Sequence, residues 1–360
     1  MLVAFRADAS VKMGSGHVMR CLTLAEKLRE GNNSITFLSR LHDGNLNHLI
    51  KEKNFDVFEL PLHPNQPFQG NHKTYLEWLG CKQSIDAKDC IASIHASSQT
   101  IDLLIVDHYA LDEQWEKALR PWVKKIMVID DLADRNHDCE ILLDQTHGRK
   151  KADYYGFVST QTKLMMGSTF ALLRSEFSDW REYSLARRIK PQLKQILITM
   201  GGVDALNITS EILNIIEKSD LSKSTKIIVV MGGSSPFLKQ IKQLAIKISF
   251  KVEVRVDVKN MAELMSNSDL AIGAAGSTAW ERCCLGVPSI MIVLAENQQL
   301  VAKTLSSAGA AISIERTKLA CIRNLIIQMD NARLKKIGDS AAKLVNGQGV
   351  NNTIQELLSF

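Results

Sequence analysis

The feature that most constrains the fold of this chain is the alternation of two hydrophobic periods along most of its length. Short runs rich in Val, Ile and Leu indicate buried strands, and the longer stretches between them have the spacing of amphipathic helices. The strand-like runs are residues 3–5, 34–38, 102–106, 125–129, 195–199, 226–231, 252–256, 270–272, 289–293 and 311–314, and the helical stretches include 18–30, 207–217, 236–248 and 278–285. This alternation predicts an α/β fold with parallel sheets and helices on both faces.

The pattern starts again near the middle of the chain. A polar, basic stretch ends at Pro191 and is followed by a new strand, a Gly-Gly turn and a helix. We therefore predict two doubly wound, Rossmann-like domains facing across a cleft, one over residues 1–185 and one over 192–345. Residues 346–360 are expected to form a helix that packs back on the first domain. Ligands of such sheets bind beyond the carboxyl ends of the strands, which predicts a site in the cleft.

Composition and charge exclude several classes of function. Of the 360 residues 45% are hydrophobic, and the net charge of +5 is not concentrated in a long basic run, so we expect no nucleic-acid partner. Residues 1–6 indicate a first strand rather than a signal peptide, and no apolar run is long enough to span a membrane. The seven cysteines are scattered without a Cys-x-x-Cys pair, which favours reduced thiols. We predict a cytoplasmic protein that does not associate with membranes.

One segment interrupts the alternation. Residues 61–72 contain Pro61, Pro64, Pro67 and Gly70 and have little periodicity. A long irregular segment in a compact fold is often a lid over a binding site. A plain surface insertion explains the same residues equally well, and both interpretations stay open.

The first strand is followed by a glycine-containing turn, Gly14-Ser15-Gly16-His17, that opens a helix. Glycines allow close approach of the backbone to a ligand, and free amides at a helix start favour an anion such as a diphosphate. The turn is not a dinucleotide fingerprint, because Met19 stands where the third glycine should be, and it contains no Gly-Lys-Ser/Thr.

The position of His17 indicates a chemical role. The positive end of a helix dipole disfavours the imidazolium form, and a neutral imidazole is what a general base requires. The alternative is a histidine that only caps its own helix.

Polar side chains also follow two later strands of the first half. Asp107, His108 and Tyr109 come directly after one strand, and Asp130 and Asp131 follow the next. A carboxylate there could orient a histidine, and the tyrosine could contact a sugar. The alternative is that these residues belong to turns and helix caps, and it has more weight for Asp130 and Asp131.

The second half has three comparable turns. Gly201 and Gly202 precede Asp204 and Asn207, and the segment from Gly273 to Glu281 ends a strand with small residues before a helix begins. Within it, Ser277 and Thr278 suit a diphosphate, and Glu281 could accept hydrogen bonds from both ribose hydroxyls. A capping box formed by Ser277 or Thr278 with Glu281 is compatible with that role. A third turn, at residues 296–299, carries Asn297 and Gln298; taken alone, it is more typical of an ordinary helix cap.

No group of His, Asp, Glu or Cys has the spacing of metal ligands, and Asp-x-Asp is absent. We therefore expect a reaction without a metal or another cofactor.

Together these motifs resemble those of the UDP-sugar hydrolases of pseudaminic acid biosynthesis, which act on UDP-2,4-diacetamido-2,4,6-trideoxy-β-L-altropyranose. The matching segments, in family order, are Arg6-Ala7-Asp8, the nine residues from Gly14 to Leu22, Asp107-His108-Tyr109, Asp130-Asp131, Met200-Gly201-Gly202 and Glu296-Asn297-Gln298. The family has the two-domain GT-B fold and is similar to the glycosyltransferase of peptidoglycan lipid synthesis. The chain differs from shorter members by an insertion around residues 61–98.

The resemblance implies a metal-independent hydrolysis in which water attacks the anomeric carbon with inversion, so that UDP and free sugar are released. It implies His17, Tyr109 and Asn297 as catalytic residues. The residues expected to bind substrate are Gly14, Ser15, Gly16, Arg20, Asp107, His108, Gly201, Gly202, Asp204, Asn207, Ser277, Thr278, Glu281 and Gln298. The expected partners are the UDP-sugar and UDP, and we expect a monomer.

Two other functions fit the same motifs. A GT-B glycosyltransferase would pass a related sugar to an alcohol acceptor, and a non-catalytic protein would only bind the nucleotide sugar. Fold and nucleotide site would be the same in all three cases, so the sequence does not exclude either alternative.

Overall fold

The computed structural model describes residues 1–63, 75–96 and 100–359. Its strands are β1 (Leu2–Ala7), β2 (Ser34–Arg40), β3 (Asp56–Leu60), β4 (Ile101–Asp107), β5 (Val123–Ile129), β6 (Ile141–Asp144), β7 (Lys163–Met166), β8 (Gln195–Thr199), β9 (Lys226–Met231), β10 (Lys251–Val256), β11 (Leu270–Ala274), β12 (Ser289–Val293) and β13 (Ile312–Glu315). Its α-helices are α1 (Gly16–Glu30), α2 (Asn47–Glu52), α3 (Gln83–Ala96), α4 (Glu113–Leu119), α5 (Ser175–Asp179), α6 (Arg181–Arg187), α7 (Ile208–Glu217), α8 (Leu238–Lys247), α9 (Met261–Ser266), α10 (Thr278–Cys284), α11 (Gln299–Ser307), α12 (Ile322–Ile327), α13 (Asn331–Leu344) and α14 (Gly349–Leu358). Short 3₁₀ helices span Leu76–Leu79, Arg120–Trp122, Lys151–Tyr154, Ser168–Phe170, Glu296–Gln298 and Arg316–Cys321.

The first compact unit consists of residues 1–172 and 350–360. Its seven strands form one parallel sheet in the order β3-β2-β1-β4-β5-β6-β7. Successive residues of β1 point to opposite faces: Val3 and Phe5 lie in one buried cluster with α1, and Ala4 lies in the other. A strand buried on both faces needs apolar residues at nearly every position, which explains its continuous hydrophobic run.

The second compact unit consists of residues 173–349. Its six strands also form a parallel sheet, in the order β10-β9-β8-β11-β12-β13. One face of α7 is packed against this sheet through Ile208, Ile212 and Ile216, which are fully buried and spaced four residues apart. Burying each such side chain contributes about 1.5–3 kcal/mol.

The structure confirms the predicted α/β class with two doubly wound parallel sheets. It also contains three strands that were not predicted, β3, β6 and β7. The last two have only four residues each, and such short apolar runs cannot be distinguished from pieces of helix by periodicity.

The unit boundaries differ from the predicted ones. The first unit ends at Leu172 rather than at residue 185, so α5 and α6 belong to the second unit. Residues 350–360 are part of the first unit, where Val350, Ile354 and Leu357 of α14 contact the core on the α1 side of the sheet.

Within the part of the chain that the structure describes, no helix is both long and apolar enough to span a bilayer. Most of the segment interpreted as a lid or an insertion, residues 64–72, lies outside the described residues.

Candidate active site

The turn between β1 and α1 places His17 at the carboxyl edge of the first sheet. Gly14 has φ +80°, a conformation that strongly favours glycine, and its amide donates to the Ser10 carbonyl at 2.8 Å. The helix then begins at Gly16, and the Ser15 side chain makes no capping hydrogen bond. His17 therefore lies in the first turn of α1, and its side chain is 8% exposed.

His17 forms a hydrogen bond with Asp107, the last residue of β4. The distance from Nδ1 to Oδ1 of Asp107 is 2.6 Å, and the carboxylate is completely buried. The contact arises because β1 pairs with β4 in a register that places Ala7 beside Asp107. Because a carboxylate oxygen accepts, Nδ1 is the donor of this bond, and Nε2 has no hydrogen-bond partner among the described residues. His17 does not act as a cap of its own helix, because its bonded nitrogen contacts a carboxylate.

Arg20, one turn further along α1, links two carboxylates. Its Nε and Nη2 donate to Asp107 at 2.6 and 2.7 Å, and its Nη1 donates to Asp131 at 2.6 Å. Burial alone would raise the pKa of Asp107, but Arg20 and His17 hold it well below its usual range. Arg20 was expected to bind substrate. That role stays a prediction; in the structure its guanidinium is 6% exposed and binds the two aspartates.

Tyr109 stands next to His17, where it was expected. The two ring centroids are 4.6 Å apart with an interplanar angle of 84°. The Tyr109 hydroxyl donates to Oδ2 of Asp131 at 2.9 Å. Burial and the negative charge of Asp131 both raise the pKa of this phenol well above its usual value.

Two further aromatic residues, Tyr75 and Trp78, were not predicted as part of the site. Trp78 stacks on Tyr109 with centroids 5.9 Å apart and lies 6.3 Å from the His17 ring, and Tyr75 contacts Trp78 and Tyr109 edge to face. These rings form an apolar wall beside the imidazole. The only sign in the sequence that these two residues belong to the site is that they directly follow the irregular segment.

The neighbouring His108 and Asp130 are buried inside the unit. The His108 side chain has no exposed surface, and its Nδ1 accepts a hydrogen bond from the Ala110 amide at 3.1 Å. Burial lowers the pKa of His108 to about 3, although Asp8 opposes the shift. Asp130 accepts hydrogen bonds from Arg135 and Tyr154 at 2.7 and 2.8 Å. Contact of His108 with substrate stays a prediction, and the hydrogen bonds of Asp130 fit the structural role that was left open for it.

In the second unit, Gly201 and Gly202 lie exposed after β8, and Gly201 has φ +88°. Asp204 instead caps α7: its two carboxylate oxygens accept from the amides of Ile208 and Thr209, both at 3.0 Å. Asn207 accepts from the Ser210 hydroxyl at 2.7 Å. The carboxylate of Asp204, which was expected to bind substrate, thus holds the start of its own helix, and its contact with substrate stays a prediction.

The turn between β11 and α10 keeps the arrangement predicted from its small residues. A Cβ atom on Gly273 would lie 2.9 Å from the Thr199 carbonyl oxygen and 2.7 Å from Nη1 of Arg282, so a larger residue would force the backbone to shift. Ser277 is exposed and its side chain makes no capping hydrogen bond, so the capping box does not form. Glu281 is 17% exposed and lies 3.7 Å from Arg174. Burial raises the pKa of Glu281 to about 7, with Arg174 and Arg282 opposing the shift.

Arg282, which the sequence analysis missed, lies beneath this turn. It donates to the Thr278 hydroxyl at 3.0 Å and to the Ala274 carbonyl at 2.9 Å, and it is 1% exposed. Among the described residues it forms no ion pair with a carboxylate. Burial lowers its pKa to about 10, so it stays charged at neutral pH. It therefore brings a positive charge next to Thr278.

Gln298 also lies at this turn. Its Oε1 accepts from the Leu294 amide at 3.0 Å, and its Nε2 is 3.9 Å from where a Cβ on Gly276 would lie. Asn297 is half-buried, and its side chain forms no hydrogen bond within the described ranges. The same ranges contain no group of three or more His, Cys, Asp or Glu side chains placed to hold a metal ion.

Comparison with known proteins finds a family model that matches much of the second unit and individual proteins that match most of the chain. Residues 195–356 match the family model of the glycosyltransferase family 28 C-terminal domain. The chain is 28% identical over 310 residues to the UDP-2,4-diacetamido-2,4,6-trideoxy-beta-L-altropyranose hydrolase of Campylobacter jejuni, and the match covers 86% of this chain and 97% of that protein. The resemblance inferred from the motifs is confirmed.

Other similarities extend along the chain. An uncharacterized protein of Methanocaldococcus jannaschii is 29% identical over 303 residues, which cover 83% of this chain but only 56% of that protein. The chain thus matches about half the length of this relative. The crystal structure of MurG from Acinetobacter baumannii superposes with a TM-score of 0.70 at 15% identity, covering 100% of this chain and 99% of the other. The likeness to this GT-B glycosyltransferase confirms the predicted fold class.

Proposed function

We propose that this protein hydrolyses a UDP-sugar, UDP-2,4-diacetamido-2,4,6-trideoxy-β-L-altropyranose, to UDP and the free sugar for pseudaminic acid synthesis. The observation that carries the proposal is the buried pair formed by Asp107 and His17, in which the carboxylate binds Nδ1 and leaves Nε2 without a hydrogen-bond partner among the described residues. Such a pair is suited to remove a proton from water. The name of the Campylobacter relative supports the substrate, and the family 28 match supports nucleotide-sugar binding by the second unit.

In the proposed reaction, one water molecule attacks the anomeric carbon from the side opposite the diphosphate. A new C–O bond forms as one proton of the water moves to Nε2 of His17. The bond from the anomeric carbon to the phosphate oxygen breaks, and its electron pair leaves with UDP. The sugar is released with inverted configuration, and Asp107 stabilises the imidazolium formed in this step.

The departing diphosphate gains negative charge, and the turn between β11 and α10 is suited to receive it. The Thr278 hydroxyl accepts a hydrogen bond from Arg282, so its own proton is available for a phosphate oxygen. The buried positive charge of Arg282 favours an anion at this position. Because UDP is a good leaving group, the proposal needs neither a strong general acid nor a metal.

Incubation of the purified protein with the UDP-sugar alone tests the function. We expect equimolar UDP and free sugar, and NMR of the anomeric proton in the first turnovers should show inversion. No turnover until an alcohol acceptor is added would identify a transferase, and binding without turnover of any nucleotide sugar would identify a binding protein. A matched preparation of His17→Asn shows whether a contaminating hydrolase contributes.

The role of Glu281 predicts a pH dependence of substrate affinity. Because its pKa is raised to about 7, the carboxyl group is mostly protonated at pH 6 and mostly ionised at pH 8. Only the ionised form accepts a charge-assisted hydrogen bond from each ribose hydroxyl, so affinity should rise with pH across this range, by about tenfold.

Calorimetry with a UDP-sugar measures this effect, because diester phosphates do not titrate near neutral pH. Glu281→Gln should bind more weakly and without this pH dependence. An equal pH dependence in the variant would remove Glu281 from the ribose site.

A further inference from the structure

The hydrogen bond made by Tyr109 determines what its hydroxyl can offer to a ligand. A phenol has one proton and can also accept hydrogen bonds through its oxygen. In the structure that proton is donated to Asp131 at 2.9 Å. Toward any further partner, the Tyr109 oxygen can therefore act only as an acceptor.

Asp131 is itself held in position. The same oxygen, Oδ2, accepts from Nη1 of Arg20 at 2.6 Å, and Arg20 is anchored on the other side by its two hydrogen bonds to Asp107. The side chain of Asp131 is 15% exposed and that of Arg20 is 6% exposed, so water screens this link weakly. Arg20 thus connects Asp107, the partner of His17, to Asp131, the partner of Tyr109.

Two neighbouring rings therefore each carry an acceptor. Nε2 of His17 is free because Nδ1 donates to Asp107, and the phenolic oxygen of Tyr109 is free to accept because its proton is used by Asp131. The rings are perpendicular, with centroids 4.6 Å apart. A water molecule has two protons and can satisfy two acceptors at once, after which an oxygen lone pair is left for a third direction.

We infer that Asp131 is a positioning residue that keeps Tyr109 as a hydrogen-bond acceptor, so that Tyr109 and His17 together orient the attacking water. This inference rests on the proposed hydrolysis. The water donates one proton to Nε2 of His17 and the other to the Tyr109 oxygen, and its lone pair points at the anomeric carbon. On attack, the first proton is transferred to His17. The second stays on the new sugar hydroxyl, and the electron pair of the broken bond leaves with UDP.

A purely structural role for Asp131 makes a different prediction. If Asp131 only supports Arg20, its replacement disturbs Asp107 and His17 through the guanidinium, and the loss of activity does not depend on Tyr109. If Asp131 acts through Tyr109, replacing Asp131 should change kcat very little once the phenolic oxygen of Tyr109 has been removed. A double-mutant cycle separates these cases.

The experiment measures kcat and KM for UDP release by the wild type, Tyr109→Phe, Asp131→Asn and the double variant, with thermal unfolding of each. Tyr109→Phe keeps the ring and should lower kcat by about 10- to 100-fold with little change in KM. Asp131→Asn should lower kcat by a similar factor, and the double variant should be no slower than Tyr109→Phe alone. Asp138→Asn, which removes a half-buried partner of Arg120, is the matched control and should retain wild-type kcat.

Each outcome decides the inference. If Tyr109→Phe retains wild-type kcat, the inference is overturned, whether or not Asp131→Asn folds. If the losses of kcat in Tyr109→Phe and Asp131→Asn multiply in the double variant, the inference is also overturned, and Asp131 acts by supporting Arg20. If the wild type releases no UDP from any UDP-sugar, the proposed function fails first, and the inference fails with it.

Discussion

His17→Asn is expected to lower kcat for UDP release by about 10²- to 10⁴-fold, the usual contribution of a positioned general base. Asparagine can still donate a hydrogen bond to Asp107, so the buried carboxylate keeps a partner, but it cannot accept the proton of the attacking water. Affinity for UDP should be nearly unchanged, because we propose that the nucleotide binds at the turn between β11 and α10 in the second unit. Single-turnover kinetics and calorimetry with UDP measure the two quantities separately.

His48→Asn provides the control for this experiment. It makes the same substitution at an exposed histidine of α2 and should leave kcat unchanged. If His17→Asn retained most of its turnover, His17 would not be the base. If it lost affinity for UDP as well as turnover, the change would have disturbed more than the proton transfer.

Arg20→Met is expected to have the largest effect on stability. It leaves the buried Asp107 and the partly exposed Asp131 without their cation, and breaking a buried pair by removing one partner costs about 3–5 kcal/mol. Urea unfolding followed by tryptophan fluorescence should show this loss in the transition of the first unit. UDP release should also fall, because both Asp107 and Asp131 lose the group that holds them.

The effect should depend on pH in a defined direction. The pKa of Asp107 is lower in the folded protein than in the unfolded chain, so its ion pair contributes fully above about pH 4 and is lost as the pH falls through the folded value. The difference between wild type and Arg20→Met should therefore be largest near neutral pH and shrink in acid.

Lys27→Met is the matched control for Arg20→Met. It lies on the same helix and removes an exposed pair with Glu30, whose expected contribution is about 0–1 kcal/mol. If the two variants lost equal free energy of unfolding, the bridge between Asp107 and Asp131 would have no special energetic role.

Residue patterns alone were sufficient to place His17, Asp107 and Tyr109 together. A glycine turn after a first strand and a polar triplet after a later strand both belong to the carboxyl edge of a parallel sheet, so their proximity follows from the fold class. The partners of Arg20 and Asp204 could not be recognised in the same way. The structure shows that both side chains form hydrogen bonds to buried or local groups of their own unit.

The sequence by itself determined the two α/β sheets, the glycine turn that places a histidine at a helix start, and the small-residue turn before Glu281. These features depend on local period and backbone freedom, which can be recognised in neighbouring residues. Only the tertiary structure decided that Arg20 joins Asp107 to Asp131 and that Trp78 stacks on Tyr109. The strand order places β4 between β1 and β5, so residues about a hundred positions apart in the chain become partners. Those pairings depend on the registers of whole strands, which no single motif contains.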